Sequence, residues 1–511
     1  MGIPRTIAVV DVGSNSVRLL VARELSPVAF EVVDEERFDA RLGEGQMDAN
    51  LTEEGIERGL RALRIMIAVA TSHSPSTIVV AGTEALRRAP NSELLTTAAR
   101  QQTGIPVRVL SSREEAFAGF VGVINSTRLM DGHLLDIGGG SVELMRVQNR
   151  SLMEMQSAPL GAIYATERYL RNDPPSPRDI RALRRAVGDQ IQVSKQGPVL
   201  YGTGGAVRNL ARLARLKRRY PLRRLHGYTI ERQELRRMAT AVARATPEQR
   251  RQMPGLNPER IDIMPAAAIV VDELMEITGA SSLTVAGQGM REGLVWQELR
   301  PGGPIITDVR ASSIAGLGRA NGVDELAAEP VVSAAAELFA ATTPLHGLEA
   351  ADLELLLHAS RLAGIGMHVD YYNRDRHAEY LVHSGDLRGF THREIVLLAA
   401  LVRWASSGMP DLSPYKGIVQ RDDSRRAAVL AVLLGVARAI RRRNPSPVLG
   451  IEVGVARRSV RLTLSSRAPV DAEVYEIERQ QKRFESVLKA RLIVATHRQG
   501  DDQLAAGERG Q

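Results

Sequence analysis

Hydrophobic and polar positions change their period along the chain. Over the first 300 residues or so, short apolar runs rich in β-branched residues alternate with stretches that repeat at helical spacing. "TIAVVDVG" (6–13) is apolar almost throughout and ends on Gly, which predicts a strand buried on both faces. "VRLLVARE" and "FEVVDEERFDARL" follow as strands of a meander. "LTEEGIERGLRALRIMIAVATSH" places Thr52 as N-cap, acids in the first turn and apolar residues on one helical face. "STIVVAGTEALRRAP" and "PVRVLSSREEAFAGFVGVI" each read strand, turn, helix. "GHLLDIGGGSVELMRV" reopens the pattern, and "PVLYGTGGAVRNLARLARL" and "SLTVAGQGMREGLVWQEL" repeat strand, Gly turn, helix. From about residue 305 to 444 the period is helical alone. A hairpin, "GIEVGVARRSVRLTLSS", and a charged helix, "DAEVYEIERQQKRFESVLKAR", close the chain before a frayed last dozen residues.

Composition narrows this picture. With 511 residues, 44% hydrophobic and 25% charged, the chain reads as a soluble protein of about three domains. The net charge of +8 favours an anionic partner: nucleic acid, anionic lipid or a polyphosphorylated small molecule. The absence of cysteine excludes disulfides, thiolate metal ligands and a Cys nucleophile. The amino terminus carries no secretory apolar stretch and no run is long enough to cross a bilayer, so the expected location is cytoplasmic.

The chemistry lies in a repeat. "DVGSNSVRL" (11–19) returns as "DIGGGSVEL" (136–144), with aspartates 125 residues apart and five positions shared: Asp11/Asp136, Gly13/Gly138, Ser16/Ser141, Val17/Val142 and Leu19/Leu144. A strand ending in Asp and followed by Gly and small residues turns tightly, exposing backbone N–H groups that can cradle phosphoryl oxygens. Its carboxylate points into the same space, where it can hold Mg²⁺. Either copy alone reads as an ordinary β-turn; the pair reads as two grips on one phosphate chain. Arg18 in the first copy becomes Glu143 in the second, which adds a carboxylate beside Asp136.

These hairpins, with "GTEALRRAPN" and "REEA" between them and "YGTGGAVRNLA" and "GMREGLVW" after them, resemble the exopolyphosphatase / guanosine pentaphosphate phosphatase family. That family sits in the actin, sugar-kinase and heat-shock chaperone superfamily. The resemblance covers roughly residues 5–300 and continues more weakly through "HAEYLVHSGDLRGFTHREIVLLAALVRW". It implies an α/β fold of two ribonuclease-H-like domains (1–127 and 128–304) with a cleft between them, a C-terminal all-α HD-like domain (305–444) and a small α+β tail (445–511).

The resemblance also assigns roles. Glu115 matches the family's catalytic base, while Glu114 reads as structural; first-turn acids after Ser111–Ser112 are otherwise where solvated carboxylates sit. Asp136 and Glu143 match the Mg²⁺-associated acids, with Asp11 helping to hold metal or water. Mn²⁺ is an alternative metal and K⁺ an additional one. Gly13, Ser14, Asn15 and Ser16, with Gly138, Gly139, Gly140 and Ser141, are the expected phosphate donors. Arg87 matches a phosphate-binding arginine, and Arg88 is expected to face solvent. Gly204, Gly205 and Arg208 are candidates for the cleft wall, although glycines at a strand-to-helix turn are equally consistent with a structural role. Arg291-Glu292 is a family signature without an assigned step.

Arg208 to Arg224 contain eight Lys or Arg and no acid, a candidate polyanion track or simply a solvated face. In the helical region "RLAGIG" stands where related metal-dependent phosphohydrolases carry a His-Asp pair, putting Ala363 and Gly364 at the ligand positions. His358, His368, His377 and His383 are therefore expected to be structural or phosphate-contacting, with no second catalytic metal site. Three readings follow: an exopolyphosphatase acting on inorganic polyphosphate, a pppGpp 5′-phosphohydrolase, and a non-catalytic (p)ppGpp or polyphosphate sensor. A superfamily kinase fits less well, since a water-activating glutamate does not help a transferase. The expected assembly is a homodimer, with nucleic acid and membrane excluded as partners.

Overall fold

The structure is a computed structural model that describes residues 4–44 and 50–498. It divides into two compact units, residues 1–309 and 310–511. In the first, β1 (Thr6–Val12), β2 (Val17–Ser26), β3 (Ala29–Phe38), β4 (Thr77–Gly82) and β5 (Val107–Val109) form a sheet ordered β3-β2-β1-β4-β5. The β3-β2-β1 meander is antiparallel, whereas β4 and β5 join in parallel, as their helical crossovers require.

The second sheet repeats the plan. β6 (Gly132–Ile137), β7 (Val142–Gln148), β8 (Ser151–Ala158), β9 (Val199–Thr203), β10 (Thr229–Glu231) and β11 (Ser282–Val285) are ordered β10-β11-β9-β6-β7-β8. Read from β8, the order matches the first sheet strand for strand, with β10 added antiparallel at the far edge. β8 and β10 are absent from the sequence reading. "SLMEMQSA" alternates without a β-branched run, and "TIE" is too short to carry a period.

The continuous apolar runs are explained by what lies on each face. Along β1, Ile7 and Val9 enter one core while Ala8, Val10 and Val12 enter another. The core between the sheets also holds the helices Ser112–Ile124 and Met290–Leu299, which pack directly on each other. Glycines permit that contact: a Cβ at Gly293 would lie 1.7 Å from the Ala118 carbonyl oxygen, and one at Gly122 would lie 2.0 Å from that of Gly289. Trp296, fully buried, packs on Phe30 of the first sheet with ring centroids 4.8 Å apart and the planes tilted by 57°. One core is thus shared across the expected boundary at residues 127 and 128.

The second unit is helical through Asp423–Ile440. β12 (Val448–Ala456) and β13 (Ser459–Ser466) then form the expected hairpin, and the helix Asp471–Leu488 leads to β14 (Arg491–Arg498), parallel to β13. That last strand corrects the sequence reading, which ran the helix on to Arg491. The helix stops where Lys489 turns left-handed, at φ 56°. The expected frayed end lies largely outside the described residues. Among the described residues, no helix is long and apolar enough to cross a membrane.

Candidate active site

The two hairpins have the same geometry. Asp11 pairs with Arg18 across β1–β2, and Asp136 pairs with Glu143 across β6–β7. Each turn is closed by one backbone bond, Gly13 N–H to Ser16 O (3.2 Å) and Gly138 N–H to Ser141 O (3.0 Å). The turns then meet: a Cβ on Gly139 would lie 3.1 Å from Ser14 Cβ and 3.4 Å from Asn15 N.

The turn carbonyls are held from behind. Ser14 O and Asn15 O accept the N–H groups of Gly43 (2.8 Å) and Arg41 (2.9 Å). Gly138 O, Gly139 O and Gly140 O accept those of Ala162, Ile163 and Gly161, where the helix Ala162–Tyr169 begins. With the oxygens occupied, the N–H groups of Ser14, Asn15, Ser16, Gly139, Gly140 and Ser141 have no intramolecular partner among the described residues. They line one cleft. Such a run of open donors is an anion cradle.

Glu115 enters this cleft from the helix Ser112–Ile124. Ser111 caps that helix, and Glu114 closes the capping box, its carboxylate accepting from Ser111 N–H (2.8 Å) while it pairs with Arg108. The structural role expected of Glu114 is the one observed. Glu115, one residue on, turns inward. Burial pushes its pKa up to about 7, against the Arg87 guanidinium at 2.7 Å, which favours its charged form. Asp11 and Asp136 add like charge.

Asp136 lies against that same helix. A Cβ on Gly119, one turn beyond Glu115, would be 3.4 Å from its Oδ2, and one on Gly204 would be 3.3 Å from its Oδ1. Gly204, at φ 100°, could carry no side chain in any case, because its Cβ would meet Ile137 O at 2.3 Å. Burial raises Asp136 to about 6 and raises Asp11 and Glu143 as well, with Glu115 and Asp136 adding to the effect at Glu143. Glu143 accepts from Ser157 Oγ at 3.0 Å; Asp11 Oδ1 is buried without any hydrogen-bond partner.

Arginines face these acids. Arg18 is pushed down to about 9 by burial and by the Arg208 and Arg291 charges. Arg260 falls to about 10 by burial and by Arg37 and Arg208, and Arg208 is lowered too. Arg291 differs: it donates to Leu19 O (3.1 Å) and to Glu35 (2.5 Å), and its neighbour Glu292 accepts the Gly289 N–H at 2.7 Å. Buried guanidinium groups that repel one another are a site for polyanionic oxygen.

Every site residue read from the sequence lines this cleft except Arg87. Arg87 stands behind it, with its guanidinium engaged by Glu84, Glu115 and the Leu110 carbonyl. Arg88 is a correction: its guanidinium lies 4.7 Å from the Tyr164 ring centroid and 3.6 Å from Glu84, rather than facing solvent. The basic run had two readings, a polyanion track and a solvated face. Of its eight residues only Arg208 lines the cleft, and Arg218 is paired with Glu234. Sequence reasoning missed Glu84 and Arg260 as cleft residues: Glu84 lies in the quoted motif "GTEALRRAPN" but was given no role there, and Arg260 lies in no pattern that marks it. Arg18 and Arg291 were visible in the repeat and in "GMREG" but had no partner to define their role.

Among the described residues, no group of three or more His, Asp or Glu can by itself hold a metal ion. A hard cation held by one or two carboxylates, with phosphate oxygens and water completing its shell, fits the orphaned Asp11 Oδ1 and the cluster of raised acids.

Paired loops of open donors, buried arginines and a glutamate at the base define a protein that handles phosphoryl groups between two duplicated lobes. The chain belongs to the Ppx/GppA phosphatase family: the family's sequence pattern matches residues 20–301, and that of Ppx/GppA phosphatase domain III matches residues 309–479. Its fold resembles that of an exopolyphosphatase from Cytophaga hutchinsonii ATCC 33406 at 22% identity and TM-score 0.55, over 59% of this chain and 99% of the other. The Aquifex aeolicus family member is similar at 23% identity and TM-score 0.51, over 59% and 100%. The two-lobed fold read from the sequence is thus observed, and the chain is a hydrolase of phosphoric anhydrides.

Proposed function

We propose that the chain is an exopolyphosphatase that releases terminal orthophosphate from inorganic polyphosphate. The observation that carries this is the cleft itself: two Asp-Gly turns present open N–H groups to one space that Glu115 and Arg208 also enter. A terminal phosphoryl group seated on the turns accepts their N–H groups, and Arg18, Arg208 and Arg260 neutralise the charge of the chain.

Glu115 takes a proton from a water molecule as the water oxygen attacks the terminal phosphorus. A new P–O bond forms, the anhydride P–O bond breaks, and the shortened chain departs with the electron pair. A pKa of about 7 suits a base that must be ionised yet basic near neutrality. Arg87 holds the carboxylate and keeps its charged form accessible. One or two of the acids Asp11, Asp136 and Glu143 would hold Mg²⁺, with phosphate oxygens and water completing its shell. When bound, that ion neutralises developing charge on the phosphate oxygens.

The test is phosphate release with Mg²⁺ from long-chain polyphosphate and, separately, from pppGpp, with Glu115→Ala alongside. Release from polyphosphate that is lost in the variant supports the proposal. Turnover of pppGpp alone would replace it with the nucleotide reading. Ligand binding without turnover would leave a sensor.

A further inference from the structure

The second unit contains a cavity of about 860 Å³, lined by segments from residues 322–331, 360–374, 405–407, 435–444 and 476–480. That volume suits a ligand of nucleotide size. Its lining has two characters. Val331, Ala363, Met367 and Ala439 form an apolar wall, with the half-exposed Tyr371 among the lining residues. Interleaved with these, Arg374, Arg438, Arg441, Arg442 and Arg479 also line it, Arg374 lying 3.9 Å from the Met367 sulfur.

These guanidinium groups are short of anions. Glu476 is shared between Arg442 (3.8 Å) and Arg479 (3.4 Å), and the nearest carboxylate to Arg438 is Asp375 at 3.8 Å. Arg441 Nε is buried without a partner. Burial, with the Arg374 and Arg442 charges, pushes Arg438 below the usual arginine range. Arg438 is largely buried while Arg442 and Arg479 are exposed, and together with Arg374 and Arg441 they carry more positive charge than Asp375 and Glu476 beside them neutralise.

We propose that this cavity is a second binding site for a nucleoside polyphosphate, its phosphates among Arg438, Arg442 and Arg479 and its base against Tyr371 and the apolar wall. Tyr371 already has the Arg374 guanidinium 4.9 Å from its ring centroid, an arrangement that also accommodates a stacked base. Ala363 and Gly364, which occupy the positions where the sequence showed the His-Asp pair to be missing, lie on the cavity wall. A Cβ on Gly364 would meet nothing within 4 Å, so this wall is open where a metal-binding side chain would otherwise project. What is proposed for this cavity is binding alone. It is independent of the chemistry proposed for the cleft, and its failure would leave that reading untouched.

The test is photolabelling of the full chain with 8-azido-GTP, followed by peptide mapping. Two variants accompany it: Gly364→Trp, which fills the cavity and removes no charge, and the double variant Arg374→Glu/Arg442→Glu. Circular dichroism and thermal melting report whether each variant folds. The expected result is label in peptides covering 360–374 and 435–444, displaced by unlabelled GTP and reduced at least tenfold in both variants. Label confined to residues 1–309 would overturn the proposal, as would cavity label that persists in a folded Gly364→Trp. Displacement by inorganic tripolyphosphate as effective as by GTP would also overturn it, by removing any role for the base.

Discussion

Glu143 occupies in the second hairpin the position that Arg18 occupies in the first, each facing the strand-end aspartate of its own turn. Duplication supplied two identical frames. This one difference gave them opposite charge, so that one lobe presents a buried cation to the cleft and the other a second carboxylate.

Glu115→Gln is expected to lower kcat by about 10²–10⁴-fold, the usual contribution of a general base. KM should move only a few-fold, because the turns and arginines are unchanged. Steady-state phosphate release measures both. A KM effect larger than the kcat effect would make Glu115 a binding residue.

Arg87→Ala should move the acidic limb of the kcat/KM profile to higher pH. The Arg87 charge favours ionised Glu115, so its loss raises the pKa of Glu115 above about 7. Arg87→Lys should restore part of the shift. If Arg87 instead contacts phosphate, KM will rise with the profile unmoved.

Arg18→Gln should make the unliganded protein more stable and the liganded one weaker. Arg18 is buried among Arg208 and Arg291, and its depressed pKa marks an unfavourable charge. A gain of about 1 kcal/mol corresponds to about 1.5 °C in Tm for a unit the size of residues 1–309, read by calorimetry. Phosphate-chain affinity should fall about tenfold, near 1.4 kcal/mol. A variant that loses both stability and affinity would count against this account of the arginines.

The acid cluster predicts a linkage with Mg²⁺. Glu115 and Asp136 have folded-state pKa values raised to about 7 and about 6, above their ordinary 4.5 and 3.8. Protonation therefore favours the fold. Their stabilisation is full below the unfolded values and is lost as pH rises through 6 to 7. A divalent ion that binds the ionised forms reverses the loss, so the Mg²⁺-induced rise in Tm should be greater at pH 8 than at pH 5. Equal rises at both pH values would place the ion away from these carboxylates.

Gly293→Ala tests the helix contact. The new Cβ would fall 1.7 Å from Ala118 O, so the helices must separate. Overpacking of this kind costs about 1–3 kcal/mol, visible as a lower urea midpoint. Phosphate release should fall too, because Glu115 and Arg291 are carried on the two helices.

The repeat made the site legible because its chemistry is local: Asp, Gly and small residues within one turn are adjacent in sequence. The two-lobed fold class followed from the same duplication, whereas the strand order came only with the structure. What escaped was long-range. Arg260 reaches the cleft from a short helical turn with no periodic signal, and Glu84 reaches it only because the second lobe's Gly140 lies close by. Arg87 was read as a phosphate ligand from its match to a family arginine, and only the fold shows that Glu84 and Glu115 already engage it. β14 was lost because a helix and a strand adjoin with one left-handed residue between them.

The glycine-mediated contact between the helices Ser112–Ile124 and Met290–Leu299 also bears on motion. With backbone against backbone at Gly122 and Gly293, the pair has no side-chain layer to shear and travels as one rigid body. Any opening of the cleft must rotate a sheet about this pair rather than part its helices. Glu115 and Arg291 ride on these two helices, so their spacing is fixed by backbone contact, while the phosphate turns are carried separately, at the ends of the sheet strands.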